Sequence, residues 1–152
     1  MIEMKFKIEN NYIGCRQIYE SLSEQEKKWF GTYSDGEEYI VSRKLIEVDG
    51  EPAGFCEVGD CGLIPGGIIG ECIVYIAVAP KYRRRGIGFA LVHDAVKSFK
   101  ENGFSSLVYR VNKNNVASIK LAESCGLIRL PQNMIDENIR ESEYVYVAGK
   151  NF

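Results

Sequence analysis

A chain of 152 residues, 45% hydrophobic and 26% charged, is long enough to bury a core; it fits a single globular domain spanning 1–152 and excludes a disordered or fibrous polymer. Nineteen Lys and Arg against 21 Asp and Glu leave a net charge of −2, which excludes a typical nucleic-acid partner, because such domains are clearly basic. The five cysteines form no C-x-x-C pair and His93 is the one histidine, so no metal site is expected, and scattered thiols in odd number read as a reduced, cytoplasmic chain.

The start, MIEMKFKIENN, alternates charged and apolar residues, unlike a signal peptide. The apolar run 72–79 is far shorter than the about 20 residues that cross a bilayer, so no membrane partner is expected. Period-two alternation in MKFKI predicts a first strand, and the spaced apolar residues of 11–30 predict one or two helices. A turn-rich stretch, 31–37, precedes SRKLIEVDGEPAGFCEV, two strand-like runs around Asp49 and Gly50, which suit a tight hairpin turn. Residues 59–70, with five glycines and a proline, are expected to form a loop.

The run ECIVYIAV (71–78) reads as a central strand covered on both faces, and Pro80 stops it. A helix is predicted from 84 to about 102 with Gly103 at its end, then a strand at 107–111, a second helix at 114–125 stopped by Gly126, and strands at 127–130 and 144–148 around an acidic connection. Strand–helix–strand over 71–111 is a parallel crossover, so the class is α/β (α+β) with a mixed sheet flanked by helices.

Between the central strand and its helix stands VAPKYRRRGIGFAL. Free N–H groups and the positive helix end favour an anion there, small residues at Gly86 and Gly88 admit it, and Arg83, Arg84 and Arg85 can add charge-assisted contacts. A phosphate-bearing ligand follows. The string is not a P-loop, and the dinucleotide fingerprint fails at Leu91. A nucleotide-binding protein using the same turn is one alternative.

The segment Arg83-Arg84-Arg85-Gly86-Ile87-Gly88 after a strand, the stretch NNVASIKLAESCGL and the hairpin VDGEPAGF together resemble the GNAT N-acetyltransferase superfamily, most closely over 71–127. The resemblance implies a mostly antiparallel sheet whose central parallel pair is splayed, and acetyl-CoA or another acyl-CoA as co-substrate. The turn from Arg83 through Ile87 to Gly88 would hold the pyrophosphate, the backbone at Ile76, Ala77 and Val78 the pantetheine arm, and Asn115 would bond that arm. An N–H near Val78 would polarise the thioester as an acyl group passes to a primary amine. Glu71 is the leading general-base candidate and Glu57 the second, although strand alternation sets Glu71 on the face opposite Val78 unless a bulge intervenes. Many members carry a proton-donating tyrosine at the position of Ala122; its absence leaves Ser118 or water to assist. A catalytically silent CoA-binding sensor is the second reading. His93 receives no role. The acceptor is a small-molecule or peptide amine; acidic residues at Glu24, Glu26, Asp35, Glu37, Glu38, Asp136, Glu137 and Glu141 would favour a cationic one, and pairing through late strands would give a homodimer.

Overall fold

A computed structural model describes residues 4–8, 13–30, 33, 40–64 and 68–149. Seven strands form one sheet in the order β1-β2-β3-β4-β5-β7-β6: β1 (Met4–Ile8), β2 (Ile40–Val48), β3 (Glu51–Ile64), β4 (Ile68–Val78), β5 (Ser106–Asn112), β6 (Ile128–Arg129) and β7 (Glu143–Gly149). Each neighbouring pair is antiparallel except β4 with β5. The mixed, mostly antiparallel sheet with one central parallel pair is therefore as expected.

Local chemistry explains most boundaries. Asp49 and Gly50 take φ of 50° and 81°, the paired positive values of a tight hairpin turn joining β2 to β3. The 11–30 region holds two helices, α1 (Ile13–Glu20) and α2 (Glu24–Phe30). α2 opens with a capping box: the Glu26 N–H donates to Ser23 Oγ at 3.2 Å, and the Ser23 N–H donates to Glu26 Oε1 at 2.9 Å. The helix after the arginine turn, α3, spans Ile87–Ser98 rather than 84–102, because Arg84 and Gly86 take positive φ and delay its start. α4 (Val116–Ser124) is capped by Asn115 and followed by Gly126 at φ 80°. A short α5 (Glu137–Arg140) lies in the acidic connection.

Two expectations are corrected. Residues 59–70 are not simply a loop: β3 runs on to Ile64, β4 begins at Ile68, and the ladder continues through Gly62 opposite Gly70. Backbone pairing with the neighbouring strand overrides the weak strand preference of glycine. The thiols are not all reduced, since Cys72 is disulfide-bonded while Cys15, Cys56 and Cys125 remain thiols. The 31–37 turn lies outside the described residues apart from Tyr33.

Helices α3 and α4 cover one face and α1 and α2 the other. α3 sits so close to β3 that a Cβ on Gly54 would lie 2.7 Å from Ile87 Cγ2. On the opposite face Tyr19, Phe30, Tyr33, Phe55 and Tyr75 form one aromatic cluster, with Phe30 and Tyr75 stacked at 5.5 Å. A smaller core, Val108, Leu130, Ile135, Val145 and Val147, lies under the 130–139 segment.

Candidate functional site

Strands β4 and β5 begin as a parallel pair and then part. Glu71, Cys72 and Ile73 pair with Leu107, Val108 and Tyr109, and no pairing follows. From Val74 onward the β5 side of β4 is open, and a cleft of about 880 Å³ occupies the gap. Ala79 N–H donates to Ala53 O on β3 at 2.8 Å. By strand alternation the peptide groups of Val78 and Ile76 therefore face the cleft. Arg83 Nε confirms this from the open side, donating to Val78 O at 3.1 Å.

The register between β3 and β4 jumps from Glu57–Tyr75 to Val58–Ile73, leaving Val74 as an extra residue. This is the bulge that decides the face of Glu71: it returns Glu71 and Val78 to the same, α3-covered side.

At the cleft mouth the chain passes from β4 through a short 3₁₀ turn, Pro80–Tyr82, into α3. Gly86, at φ 78°, is the N-cap and supplies no side-chain cap, so the first N–H groups of α3 are left to water or to a ligand. Gly88 has a packing reason of its own, since a Cβ there would come within 3.3 Å of Leu121 on α4. Both glycines, Ile76, Ala77, Val78, Ile87, Arg83, Arg84 and Asn115 line the cleft; Arg85 does not, and its guanidinium lies 5.4 Å over the Tyr82 ring. Arg83 is already engaged, with one guanidinium nitrogen 2.6 Å from Glu26. Burial works against ionisation of Glu26, but the Ser23 N–H and hydroxyl and the Arg83 charge outweigh it and hold the carboxyl below its usual range. Sequence reading missed this link because a contact between α2 and the turn has no local signature.

Neither candidate base lines the cleft. Glu71 is 1% exposed and sits beneath α3, where Asn102 Nδ2 donates to its Oε2 at 3.1 Å. Burial raises its pKa, Asn102 and Lys44 opposing. A raised carboxyl pKa means the folded chain holds the proton more tightly, so stability falls as pH rises through that interval and stays lowered above it. Glu71→Gln keeps an acceptor for Asn102 and cannot ionise. Its melting temperature is expected to gain on the parent between about pH 4 and about pH 7, read by thermal scans. An unchanged difference across that range would refute the burial argument.

Glu57 is fully buried on the aromatic face. Tyr33 donates its hydroxyl to Glu57 Oε1, Arg43 Nε lies 3.2 Å from the same oxygen, and Oε2 has no hydrogen-bond partner. The acidic rim is largely spent on neighbours. Glu24 faces Lys27, Glu137 faces Arg140 and Asp136 caps α5, while Asp35, Glu37 and Glu38 lie outside the described residues. No group of His, Cys, Asp or Glu able to hold a metal occurs among the described residues.

A model of the Acetyltransferase (GNAT) family matches residues 7–127. The chain belongs to the GNAT family. The ribosomal protein bS18-alanine N-acetyltransferase of Escherichia coli K12 is 39% identical over 51 residues, an alignment spanning 34% of each chain. The chain thus matches about a third of that relative's length. The crystal structure of the Escherichia coli ribosomal-protein-S18-alanine N-acetyltransferase superposes with a TM-score of 0.68 at 20% identity, over 99% of both chains. A streptothricin acetyltransferase from Bacillus anthracis, solved with acetyl coenzyme A, gives 0.60 at 19% identity, covering 76% of this chain and 65% of that one.

Within this GNAT fold, the position of the tyrosine described above is Ala122, which is fully buried and offers no donor. Ser118 lines the cleft one turn earlier, and its N–H donates to Asn115 Oδ1 at 3.3 Å. The Asn115 carbonyl oxygen therefore serves as the α4 cap, which leaves its amide nitrogen as the donor toward the cleft. Tyr109, which sequence reading passed over as one apolar strand residue among several, also lines the cleft.

Proposed function

We propose that the chain is an N-acetyltransferase that moves an acetyl group from acetyl-CoA to a primary amine, with a peptide α-amine as the preferred acceptor class. One observation carries this reading: β4 loses its partner after Ile73 and turns its Ile76 and Val78 peptides to an open cleft, beside a helix mouth without a side-chain cap. Such an edge suits an extended, amide-bearing arm, and such a mouth suits a pyrophosphate. The residues fit the group. Gly86, Ile87 and Gly88 would supply N–H groups to phosphate, Arg84 would supply charge while Arg83 stays on Glu26 at the cleft rim, and Ile76, Ala77, Val78 and Asn115 would meet the arm. An arm entering at Gly86 passes Val78, then Ile76, and ends near the point where the strands part. A cleft-facing N–H there polarises the acyl carbonyl.

The choice of acceptor follows from the missing base. The carboxylates that line the cleft, Glu26 and Glu143, are both paired, to Arg83 and Arg110 at 2.6 Å each. A lysine side chain, with a pKa of about 10.4, would arrive almost wholly protonated near pH 7.5, whereas an α-amine at about 7.7–8.0 is neutral in roughly a third of molecules. A site without a free carboxylate serves the α-amine best, and the activity of the relatives on a protein alanine is in keeping with that. No helix among the described residues is long and apolar enough to cross a membrane.

The deciding experiment is thiol release from acetyl-CoA across a panel of an alanine-initiated peptide, an N-blocked lysine peptide, spermidine and an aminoglycoside. The expected result is release with the alanine-initiated peptide, at least about tenfold faster than with the lysine peptide. Thermal stabilisation by CoA without release from any amine would replace the enzyme with a sensor, and stronger competition by ATP or NAD would replace it with a nucleotide-binding protein.

A further inference from the structure

The donor that meets the leaving group can be sought on β5, and this inference rests on the acyl-transfer reading above. Tyr109 is the last residue of β5 that pairs with β4, so it stands where the strands part. Its side chain is 2% exposed and lines the cleft with Ser118 and Leu121. Its hydroxyl has no hydrogen-bond partner. Buried phenols ordinarily find one, because a stranded O–H forfeits its hydration for nothing. One kept unpaired at the closed end of a ligand cleft is matched to an acceptor that arrives with the ligand.

The surroundings fix what kind of donor it is. Burial pushes the phenol well above its ordinary range; the Ser118 side chain opposes that rise, and the thiols of Cys56 on β3 and Cys125 beyond α4 add to it. Both thiols are themselves raised by burial, so neither ionises before an ordinary thiol does. A phenol above about 10 does not surrender its proton to a thiolate whose thiol titrates near about 8.5. It keeps the proton and donates a charge-assisted hydrogen bond.

We propose that Tyr109 is a catalytic residue whose O–H hydrogen-bonds the thioester sulfur as the carbon–sulfur bond breaks. The amine lone pair forms the carbon–nitrogen bond, the carbon–sulfur electron pair goes to sulfur, and the amine proton leaves to water. The thiolate departs held by the phenol and takes a proton from solvent after release. The phenol serves where Ala122 offers nothing, and it serves from a strand rather than a helix.

The test compares the full chain with Tyr109→Phe, which keeps the ring. Calorimetry with CoA and with desulfo-CoA from about pH 7 to about pH 9.5 should show the parent preferring CoA increasingly as its thiol ionises near about 8.5. That preference should fall by about tenfold or more in the variant, the scale of a hydrogen bond to a charged group. With the alanine-initiated peptide, kcat should drop by about tenfold to hundredfold at unchanged KM for acetyl-CoA. The melting temperature should hold or rise, because the lost hydroxyl had no partner. Equal CoA and desulfo-CoA affinities in the parent across that range, or an unchanged kcat in the variant, overturn the proposal and leave the acetyltransferase reading standing. A fall in melting temperature with equal loss of both ligands overturns it by marking Tyr109 as structural. A parent that binds neither ligand sinks both readings together.

Discussion

Replacing Gly86 by glutamate is expected to cut acetyl-CoA affinity by more than about 100-fold, roughly 3 kcal/mol, measured by calorimetry. Two independent effects converge. Gly86 holds φ 78°, where a side chain costs about 1–2 kcal/mol, and a carboxylate at the first turn of α3 would occupy the place where the N–H groups await a phosphate. Gly86→Ala separates the two effects. Nothing lies within 4 Å of a Cβ there, so alanine brings the backbone penalty without the charge and should keep most of the affinity. If Gly86→Glu binds acetyl-CoA like the parent, the anion does not sit at this helix mouth.

Glu57→Gln is expected to be the most destabilising single change at the sequence-derived site positions, costing about 3–5 kcal/mol in denaturant unfolding. Glu57 is fully buried with Arg43 beside it, itself only 9% exposed, and with the Tyr33 hydroxyl donating to it. Neutralising the carboxylate removes the charge that faces the Arg43 guanidinium at 3.2 Å inside a low-dielectric site, and against a typical stability of about 5–15 kcal/mol that is a large fraction. Because Glu57 does not line the cleft, activity per folded molecule should change little. A variant as stable as the parent but with kcat reduced by about 100-fold would restore Glu57 as the base.

Sequence reading succeeded where chemistry is local. The Asp49–Gly50 turn, the Gly86 mouth and the identities of β4, α3, β5 and α4 each follow from residues within one or two turns of each other. It failed at 59–70, where glycine content suggests a loop but pairing across the β3–β4 hairpin continues to Ile64 and Ile68. The surroundings of the carboxylates were not legible either. The burial of Glu57 and Glu71 is invisible until the helices that cover them are placed, and nothing local records that Arg83 meets Glu26 across 57 positions of sequence.

The sequence by itself determined the order of elements, the crossover from β4 to β5 and a helix start stripped of side chains, because backbone conformation and capping respond to neighbours along the chain. Only the tertiary structure decided that β4 and β5 stop pairing at Ile73 and Tyr109, that a single extra residue at Val74 returns Glu71 to the α3 face, and that the Tyr109 hydroxyl is left unpaired at the cleft's closed end. The physical reason is that side-chain face alternates with every strand residue and pairing depends on partners far away in sequence, so one inserted residue reverses a pattern that no local run of amino acids records.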